Sequence, residues 1–266
     1  MYNSMRDRGH ITGLPIYQLL GGNFRDAIPC YVSGLPKPTL EARCALAQEW
    51  QSKGFHTVKL ALGYGVAEDV ANVRAIRQAI GPEGDILLDA HWNYSLSEAA
   101  ELAAGLHDYR VRFLEAPLLP EDVAGHAALR QKSAIPIALG ETERTRYQFR
   151  PFIERQAVDI LQPDVGRTGI TELMHIASLA ETWNLKVAPH LSVGLAPCIA
   201  ASLQVAAALP NFHLLEFQPP VFALANNLLK TPLVCRAGEY QLPSGPGLGI
   251  EVDEQCVRDY SGRKVC

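Results

Sequence analysis

The chain has few of the features that mark exported, membrane or nucleic-acid-binding proteins. Its first ten residues include no apolar run of the kind found in a signal peptide. The longest apolar stretch, residues 195–209, is interrupted by Ser202 and Gln204 and is too short to span a bilayer, so we expect a buried helix there. The 24 basic residues are scattered, without a cluster, among 28 acidic ones, and predict neither a nucleic-acid nor a membrane partner.

Cysteine is scarce and irregularly spaced. None of the six cysteines forms a C-x-x-C pair, which argues against a zinc site. Without an export signal, they are expected to be reduced thiols of a cytoplasmic protein. The sequence also lacks the glycine-rich first turn that often opens a doubly wound nucleotide-binding sheet. The cysteines are Cys30, Cys44, Cys198, Cys235, Cys256 and Cys266.

What the chain does have is a repeated alternation of short apolar runs and helix-forming segments. Its 266 residues, 48% of them hydrophobic, can bury one large core. Eight apolar runs at intervals of roughly 25 residues predict parallel strands joined by helices, and hence an α/β fold, a closed (β/α)8 TIM-type barrel. The predicted strands are residues 28–32, 57–62, 86–89, 112–115, 136–139, 159–162, 186–189 and 213–217.

Three acidic residues end successive strands of this series at equal intervals. Asp89, Glu115 and Glu141 each close an apolar run, and 26 residues separate each from the next (115−89 = 141−115 = 26). Parallel strands would bring all three carboxylates to the same edge of the sheet, where they repel one another unless a cation binds them. Hard oxygen ligands suit Mg²⁺. The alternative reading is that each acid merely caps the helix after its strand.

The other predicted strands, except the first, also end on ionisable side chains. Catalytic residues of barrels come from the C-terminal ends of several strands, so these positions are the candidates for a site. Such a ring of charges is costly to bury as a purely structural feature, but it fits a bound metal and an anionic substrate. The candidates are Lys59, Asp89, His91, Glu115, Glu141, Asp164, His190 and Glu216.

Together these motifs resemble the enolase superfamily, in particular its mandelate racemase-like branch of sugar-acid dehydratases and racemases. The resemblance covers nearly the whole chain and implies the family variant of the barrel, (β/α)7β, followed by a C-terminal tail that packs on a capping domain. The motifs that carry it are GLPIYQLLGG (13–22), Val58-Lys59, LLDAHW (87–92), FLEAP (113–117), LGET (139–142), QPDVGRTGITE (162–172), APH (188–190) and LLEF (214–217).

The resemblance implies a role for each candidate. Asp89, Glu115 and Glu141 match the family's Mg²⁺ ligands. Asp164 and His190 match its Asp–His dyad, in which His190 is the general base that removes the proton α to a carboxylate. Glu216 matches the acid at the end of the last strand and is expected to stay protonated beside the substrate oxyanion.

Two departures from the family pattern bear on the chemistry. The Lys-x-Lys motif of the racemases reads here Lys59-Leu60-Ala61, so a methyl group replaces the base on one face of the substrate and disfavours racemisation. Lys59 can still neutralise the substrate carboxylate. His91 stands where many relatives have asparagine and resembles the general acid of galactonate dehydratase-like members. The alternative for His91 is an imidazole stacked on Trp92.

A third departure concerns domain organisation. Family members carry a capping domain before the barrel, for which this chain has no room. We expect residues 1–27 to be a lead-in segment left from the link to that domain, residues 28–225 to be the barrel, and residues 226–266 to be the cap-associated C-terminal segment. The apolar surface that a cap would cover then leaves two alternatives: the chain is a fragment of a longer protein, or it forms a homo-oligomer or binds a partner that supplies the cover.

These features lead to three functional hypotheses. The first is a Mg²⁺-dependent lyase, a sugar-acid dehydratase that acts on aldonic or aldaric acids. In it, His190 removes the α-proton and His91 protonates the departing β-hydroxyl. The second is a racemase or epimerase of a 2-hydroxy acid with an unusual second base. The third is a non-catalytic barrel with a binding or structural role. The sequence does not name the sugar acid.

Overall fold

The computed structural model describes residues 2–191 and 194–261, and its strands follow the predicted order. Eight strands run in the predicted positions, and each observed strand overlaps its predicted one. They are β1 (Ala27–Ser33), β2 (Thr57–Ala61), β3 (Asp85–Asp89), β4 (Val111–Glu115), β5 (Ile137–Leu139), β6 (Ile160–Leu161), β7 (Lys186–Val187) and β8 (Leu215–Phe217).

Helices fill the intervals between these strands. Within the residues that the structure describes, a 3₁₀ turn at His107–Tyr109 supplements them before β4. The helices are α1 (Tyr2–Thr12), α2 (Ile16–Leu19), α3 (Leu40–Ser52), α4 (Val66–Ile80), α5 (Leu96–Gly105), α6 (Val123–Lys132), α7 (Arg146–Glu154), α8 (Val165–Glu181), α9 (Ala196–Ala208), α10 (Pro219–Asn226) and α11 (Glu254–Ser261).

The strands pair in parallel in the order β7-β6-β5-β4-β3-β2-β1, and β8 pairs with the other side of β1. In the described part of the chain β7 and β8 themselves do not pair. The segment before β8 approaches β7 instead, with an isolated parallel bridge between Val187 and Phe212 and a hydrogen bond of 2.8 Å from the His213 amide to the Val187 carbonyl. This order returns the last strand to the first, as a barrel requires.

The sequence did not predict a hairpin that follows the barrel. Strands β9 (Cys235–Arg236) and β10 (Glu239–Gln241) form it, and β10 lies antiparallel to β1 with Ile28 opposite Tyr240. The Tyr240 hydroxyl donates to the Glu216 carbonyl at 3.0 Å. The hairpin therefore ties the C-terminal segment to the two strands at which the sheet closes.

Two apolar layers hold these elements together. The larger one lies between the strands and the surrounding helices and includes α9, whose residues are almost all buried, as residues 195–209 predicted. Within the described residues, no helix has the length and apolar character needed to cross a bilayer. The smaller layer fills the barrel and consists of Tyr31, Leu87, Phe113, Ala138, Ile160 and Ala188, with Leu214 against it.

Candidate active site

A ring of polar side chains lies above the inner apolar layer of the barrel, toward the C-terminal ends of the strands. Residues two apart on a strand point to the same face, so the residue two positions after each inner apolar side chain lies nearer the C-terminal mouth of the barrel. Leu87 is followed by Asp89, Phe113 by Glu115, and the same step gives a polar residue on four further strands. These pairs are Tyr31 and Ser33, Ile160 and Gln162, Ala188 and His190, and Leu214 and Glu216.

Lys59 is the charged centre of this ring. Its side chain is 3% exposed, and its Nζ lies 2.9 Å from Glu115 Oε2, 3.1 Å from Glu216 Oε1 and 3.4 Å from Asp89 Oδ2. Burial by itself lowers the pKa of Lys59, but the surrounding carboxylates outweigh it and hold that pKa well above its ordinary value. The ammonium is therefore charged and neutralises carboxylates from three strands.

The pKa values of two carboxyl groups around Lys59, those of Glu115 and Glu216, are shifted in opposite directions. Burial raises the pKa of Glu115 to about 7, helped by the negative charges of Asp89 and Glu216 and opposed by Lys59. Burial also works to raise the pKa of Glu216, but Lys59 and His190 hold it down at about 2. In this arrangement of charges the pKa of Glu216 is lowered. The expectation that Glu216 stays protonated refers to the site with its substrate, and it stays a prediction.

His190 is held between two carboxylates at the end of β7. Its Nδ1 lies 2.8 Å from Asp164 Oδ2, and its Nε2 lies 2.9 Å from Glu141 Oε2. Burial lowers the pKa of His190, but the hydrogen bonds with Asp164 and Glu141 outweigh it and raise that pKa to about 10. The structure therefore brings the predicted Asp164–His190 pair together, with a third predicted residue, Glu141, on the other ring nitrogen.

Glu141 reaches this position because a glycine precedes it. Gly140 has φ +135°, and a Cβ there would stand 2.5 Å from the ring of Phe149, so only glycine fits the turn out of β5. Burial is the largest single effect and raises the pKa of Glu141, but the hydrogen bond with His190 and the positive charges of His190 and Lys59 together outweigh it and leave the pKa below its ordinary value. Glu141 is therefore an anion that faces the middle of the site.

His91 lies at the rim, on a loop of unusual backbone. Both His91 (φ 46°) and Trp92 (φ 60°) adopt left-handed conformations directly after β3. The ring of His91 is half exposed, its Nδ1 lies 3.2 Å from Asp89 Oδ1, and it meets the Trp92 ring edge-on at 6.5 Å. His91 thus combines both expected features: it contacts Trp92, and it presents an ionisable ring beside a carboxylate of the site.

Sequence reasoning missed a buried polar group near the same mouth. Gln162 is fully buried, and neither its Oε1 nor its Nε2 has a hydrogen-bond partner within the described protein. It lines a small cavity together with Glu115, Glu141 and His126, whose Nε2 is also unpartnered. The signal was available: Gln162 follows Ile160 by two residues, the step that places Glu115 after Phe113.

The donor set fits a cation. Ligand atoms of Glu115, Glu141 and His190 all lie within 4.8 Å of one another, and Glu115 Oε1 is buried without a partner. Asp89 lies outside that compact group but shares Lys59 with Glu115. Carboxylate oxygens predominate, which is the preference of a hard divalent cation. Two of the three predicted ligands, Glu115 and Glu141, therefore lie together with His190, whereas Asp89 is connected to Glu115 through Lys59.

The sequence is similar to an enolase-type domain and to enzymes that act on sugar acids or their lactones. The sequence profile described as "Enolase C-terminal domain-like" matches residues 42–256. A D-galactarolactone cycloisomerase from Agrobacterium fabrum is 33% identical over 266 residues, covering 95% of this chain and 70% of the relative. A D-xylonate dehydratase from Haloferax volcanii is 32% identical over 272 residues, covering 94% of this chain and 65% of the relative.

Solved structures agree with this result. A 3,6-anhydro-D-galactonate cycloisomerase from Zobellia galactanivorans superposes with a TM-score of 0.90 at 33% identity, covering 96% of this chain and 72% of that one. A protein from Agrobacterium tumefaciens, described as a member of the enolase superfamily, gives a TM-score of 0.91 at 40% identity, covering 96% of this chain and 65% of that one. Each similarity spans nearly all of this chain but only about two thirds of the other protein.

Proposed function

The chain belongs to the enolase superfamily, in its mandelate racemase-like branch, and on that premise we propose that it is a Mg²⁺-dependent sugar-acid dehydratase. The observation that carries the proposal is the position of His190, whose Nδ1 is held by Asp164 and whose Nε2 contacts Glu141, one of the proposed metal ligands. That arrangement suits removal of a proton from a carbon next to a carboxylate. The substrate is a small aldonic or aldaric acid.

The metal site of the proposal is formed by Asp89, Glu115 and Glu141. These three oxygen ligands would hold Mg²⁺, and the unpartnered Oε1 of Glu115 is the donor atom that the protein itself leaves unused. When bound, the ion supplies a Lewis acid that stabilises negative charge developing on the substrate carboxylate. In this scheme the three carboxylates are the ligands, and His190, although its ring lies within the same compact group, is assigned the role of the base.

Lys59 and Glu216 prepare the binding position. Lys59 keeps a positive charge in a buried setting, so it can pair with the carboxylate of an incoming sugar acid. Glu216 accepts a hydrogen bond from the Leu191 amide at 3.0 Å and contacts Lys59 at 3.1 Å. The single carboxylate of Glu216 therefore holds two groups in place: the Lys59 ammonium and the backbone directly after His190. The work of these two residues is orientation.

Two histidines divide the proton transfers. Asp164 fixes His190 with Nδ1 as the donor, which leaves Nε2 as the atom that accepts the α-proton. In this structure the hydrogen bonds with Asp164 and Glu141 outweigh burial and keep the pKa of His190 at about 10, so Nε2 can act as a base only when Glu141 has given up its bond to serve as a metal ligand. His91, half exposed and at the rim, protonates the β-hydroxyl as it departs. Position 61 carries a methyl group where a second base would be needed on β2, which is why the proposal is elimination and not racemisation.

We also propose the domain boundaries that the sequence predicts: a lead-in at residues 1–27, a barrel at residues 28–225 and a cap-associated segment at residues 226–266. A cover over the mouth would exclude water and strengthen the electrostatic interactions there. We propose that the active assembly is a homo-oligomer, or includes a partner that provides this cover, and that it acts in the cytoplasm.

A cycloisomerase is the second candidate, because two of the similar proteins carry that name. Both reactions can begin with the same proton removal by His190. They differ in mass balance, since dehydration expels water and an isomerisation keeps every atom.

The experiment is incubation of the protein and Mg²⁺ with a panel of aldonic acids, aldaric acids and sugar-acid lactones, analysed by mass spectrometry. A 2-keto-3-deoxy acid, lighter by one water, supports the dehydratase. A product of unchanged mass supports the cycloisomerase. The His190→Asn variant is the control for contaminating activity. No product from the whole panel, in the presence of chelator-reversible Mg²⁺ binding, would reject both and leave a binding role.

A further inference from the structure

A second cleft opens beside the candidate site and is built for an anion. It lies where β1 and β2 end, between the starts of α3 and α4, and has a volume of about 310 Å³. Its polar lining differs from that of the active site because it offers cations without carboxylates. The residues that matter below are Lys37, Ala61, Arg43, Tyr64 and Asn72.

Two cations face this cleft without an acidic partner. In the described part of the chain, no carboxylate oxygen lies within 4.0 Å of the side-chain nitrogens of Lys37 or Arg43, whereas Lys53 at the end of α3 pairs with Glu49. Arg43 donates from Nε to the Lys37 carbonyl at 3.1 Å. That bond uses one donor of the guanidinium and leaves its two Nη groups for a ligand.

The Arg43 guanidinium also contacts an aromatic ring. Its carbon lies 5.6 Å from the centroid of the Tyr64 ring. The loop that carries Tyr64 is fixed by Asp69, whose Oδ2 accepts from the Gly63 amide at 2.9 Å and from the Tyr64 amide at 3.3 Å. A cation positioned by a stacked ring and a fixed loop is pre-organised for binding.

An independent sign of a ligand is the side chain of Asn72. It is 7% exposed and lines the cleft, and within the described residues its amide makes no hydrogen bond. The amide atoms of Asn72 are not among the fully buried unpartnered atoms of the described residues, so the small exposed part of this side chain is its polar end, within the cleft. A ligand with hydroxyl or carboxylate oxygens would provide a hydrogen-bond partner for this amide.

Among the residues that line the cleft, Ala61 is close in sequence to the candidate site. It lies two residues after Lys59 on β2, on the same face, and is exposed where Lys59 is buried. At about 3.3 Å per residue, the two positions are roughly 7 Å apart, close to the length of an extended six-carbon chain. A methyl group at position 61 leaves open a path that a long side chain would fill.

We propose that this cleft binds the distal carboxylate of the substrate, so that the site selects dianionic aldaric acids over monoanionic aldonic acids. The inference rests on the proposed function, because the α-carboxylate is taken to sit at Lys59. Arg43 and Lys37 pair with the far carboxylate, and Asn72 contacts a hydroxyl or the same carboxylate. Charge-assisted pairs of this kind give the selectivity.

The test compares galactarate with galactonate, which differ only in whether the far carbon is a carboxylate. Arg43→Gln and Lys37→Gln should each lower kcat/KM for galactarate about tenfold or more and leave that for galactonate nearly unchanged. Lys53→Gln, which removes an equal charge at the end of α3 outside the cleft, should change neither. An equal loss for both acids, or no loss, overturns the inference while the dehydratase assignment stands.

Binding supplies a readout that does not depend on turnover. In the His190→Asn background, calorimetry should show galactarate binding more tightly than galactonate, and Arg43→Gln should remove the difference. If no acid is turned over but this Arg43-dependent preference is present, the cleft is supported and the dehydratase proposal fails. No preference overturns the inference. So does Arg43-dependent binding of inorganic phosphate that leaves galactarate affinity unchanged, because the cleft would then be a separate site.

Discussion

His190 and Asp164 are joined twice. Their side chains meet at 2.8 Å, and their backbones form an isolated parallel bridge just beyond the ends of β6 and β7. The backbone bridge alone makes the two residues neighbours, independently of their side chains. The hydrogen bond between them is therefore a consequence of strand register, and it orients the imidazole without a separate ordering cost.

Replacing His190 by asparagine should abolish proton exchange at the α-carbon of the substrate, with a loss of at least about a hundredfold. Metal binding should stay close to that of the parent, since the carboxylates remain. Solvent deuterium in recovered substrate, followed by NMR, measures the exchange. Retained exchange would identify another base, and Lys59 would be examined first.

Glu115→Gln should weaken Mg²⁺ binding, because it removes an anionic ligand while keeping the side-chain volume. Calorimetric titration with Mg²⁺ measures the loss. The matched control is Glu143→Gln, which changes a neighbouring buried carboxylate that lines the same small cavity but lies outside the proposed ligand set. Equal affinities for the parent and the Glu115 variant would show that Glu115 is not a ligand.

His91→Asn separates elimination from proton exchange. Loss of the β-hydroxyl should slow by roughly a hundredfold or more, while exchange at the α-carbon continues through His190. The variant should therefore wash deuterium into the substrate without making keto acid. Dehydration at the parental rate would show that His91 is not the general acid and has only a structural role, through its contacts with Asp89 and Trp92.

Lys59→Met should destabilise the protein in a pH-dependent way. The change leaves the carboxylates of Asp89, Glu115 and Glu216 without their shared cation, at a cost of about 3–5 kcal/mol near neutral pH. Without Lys59 their folded-state pKa values rise above those of the unfolded chain, so stability is lost as pH increases through that range and is regained in acid.

Thermal unfolding of the metal-free variant at pH 5 and pH 8 measures this effect. The deficit relative to the parent should be larger at pH 8, and Mg²⁺ should reduce it. Lys53→Met is the control, since Lys53 is exposed and forms a surface ion pair. A deficit independent of pH would mean that lost packing, and not charge, explains the change.

His126 should make stability fall in mild acid. Burial lowers the pKa of His126, so its contribution is fully present above the ordinary value of 6.5 and is lost as pH falls toward the lower folded-state value. His126→Gln should flatten the slope of unfolding free energy below pH 6.5 by up to about 1.4 kcal/mol per pH unit. Denaturant titrations measure it, with His107→Gln, an exposed histidine, as control.

The barrel was predictable because its signal is local and repeated. Apolar runs such as Ile86–Leu88 can be recognised singly, and the 26-residue interval from Asp89 to Glu115 to Glu141 fixes their common direction. The strands β6 and β7 are only two residues long, so Asp164 and His190 were correctly paired from their position after a run and not from strand length.

What the sequence did not reveal depends on contacts between distant segments. Strands β9 and β10 are short and look like turns, and only pairing with β1 makes them strands. The lowered pKa of Glu216 depends on Lys59 and His190, which come from other segments of the chain. The cleft of Lys37, Arg43 and Asn72 combines three segments whose separate patterns predict only exposed loops and helix faces.

The position of β1 has a consequence for the order in which the protein can form. Its partners include β2, which follows at once, and β8 and β10, which lie nearly 190 and 210 residues later in the chain. Contacts of such long range form slowly, because the intervening chain must first be brought together. A ribosome-bound chain that ends before β8 would hold Lys59 without Glu216, so catalytic competence should arrive only with the last strands.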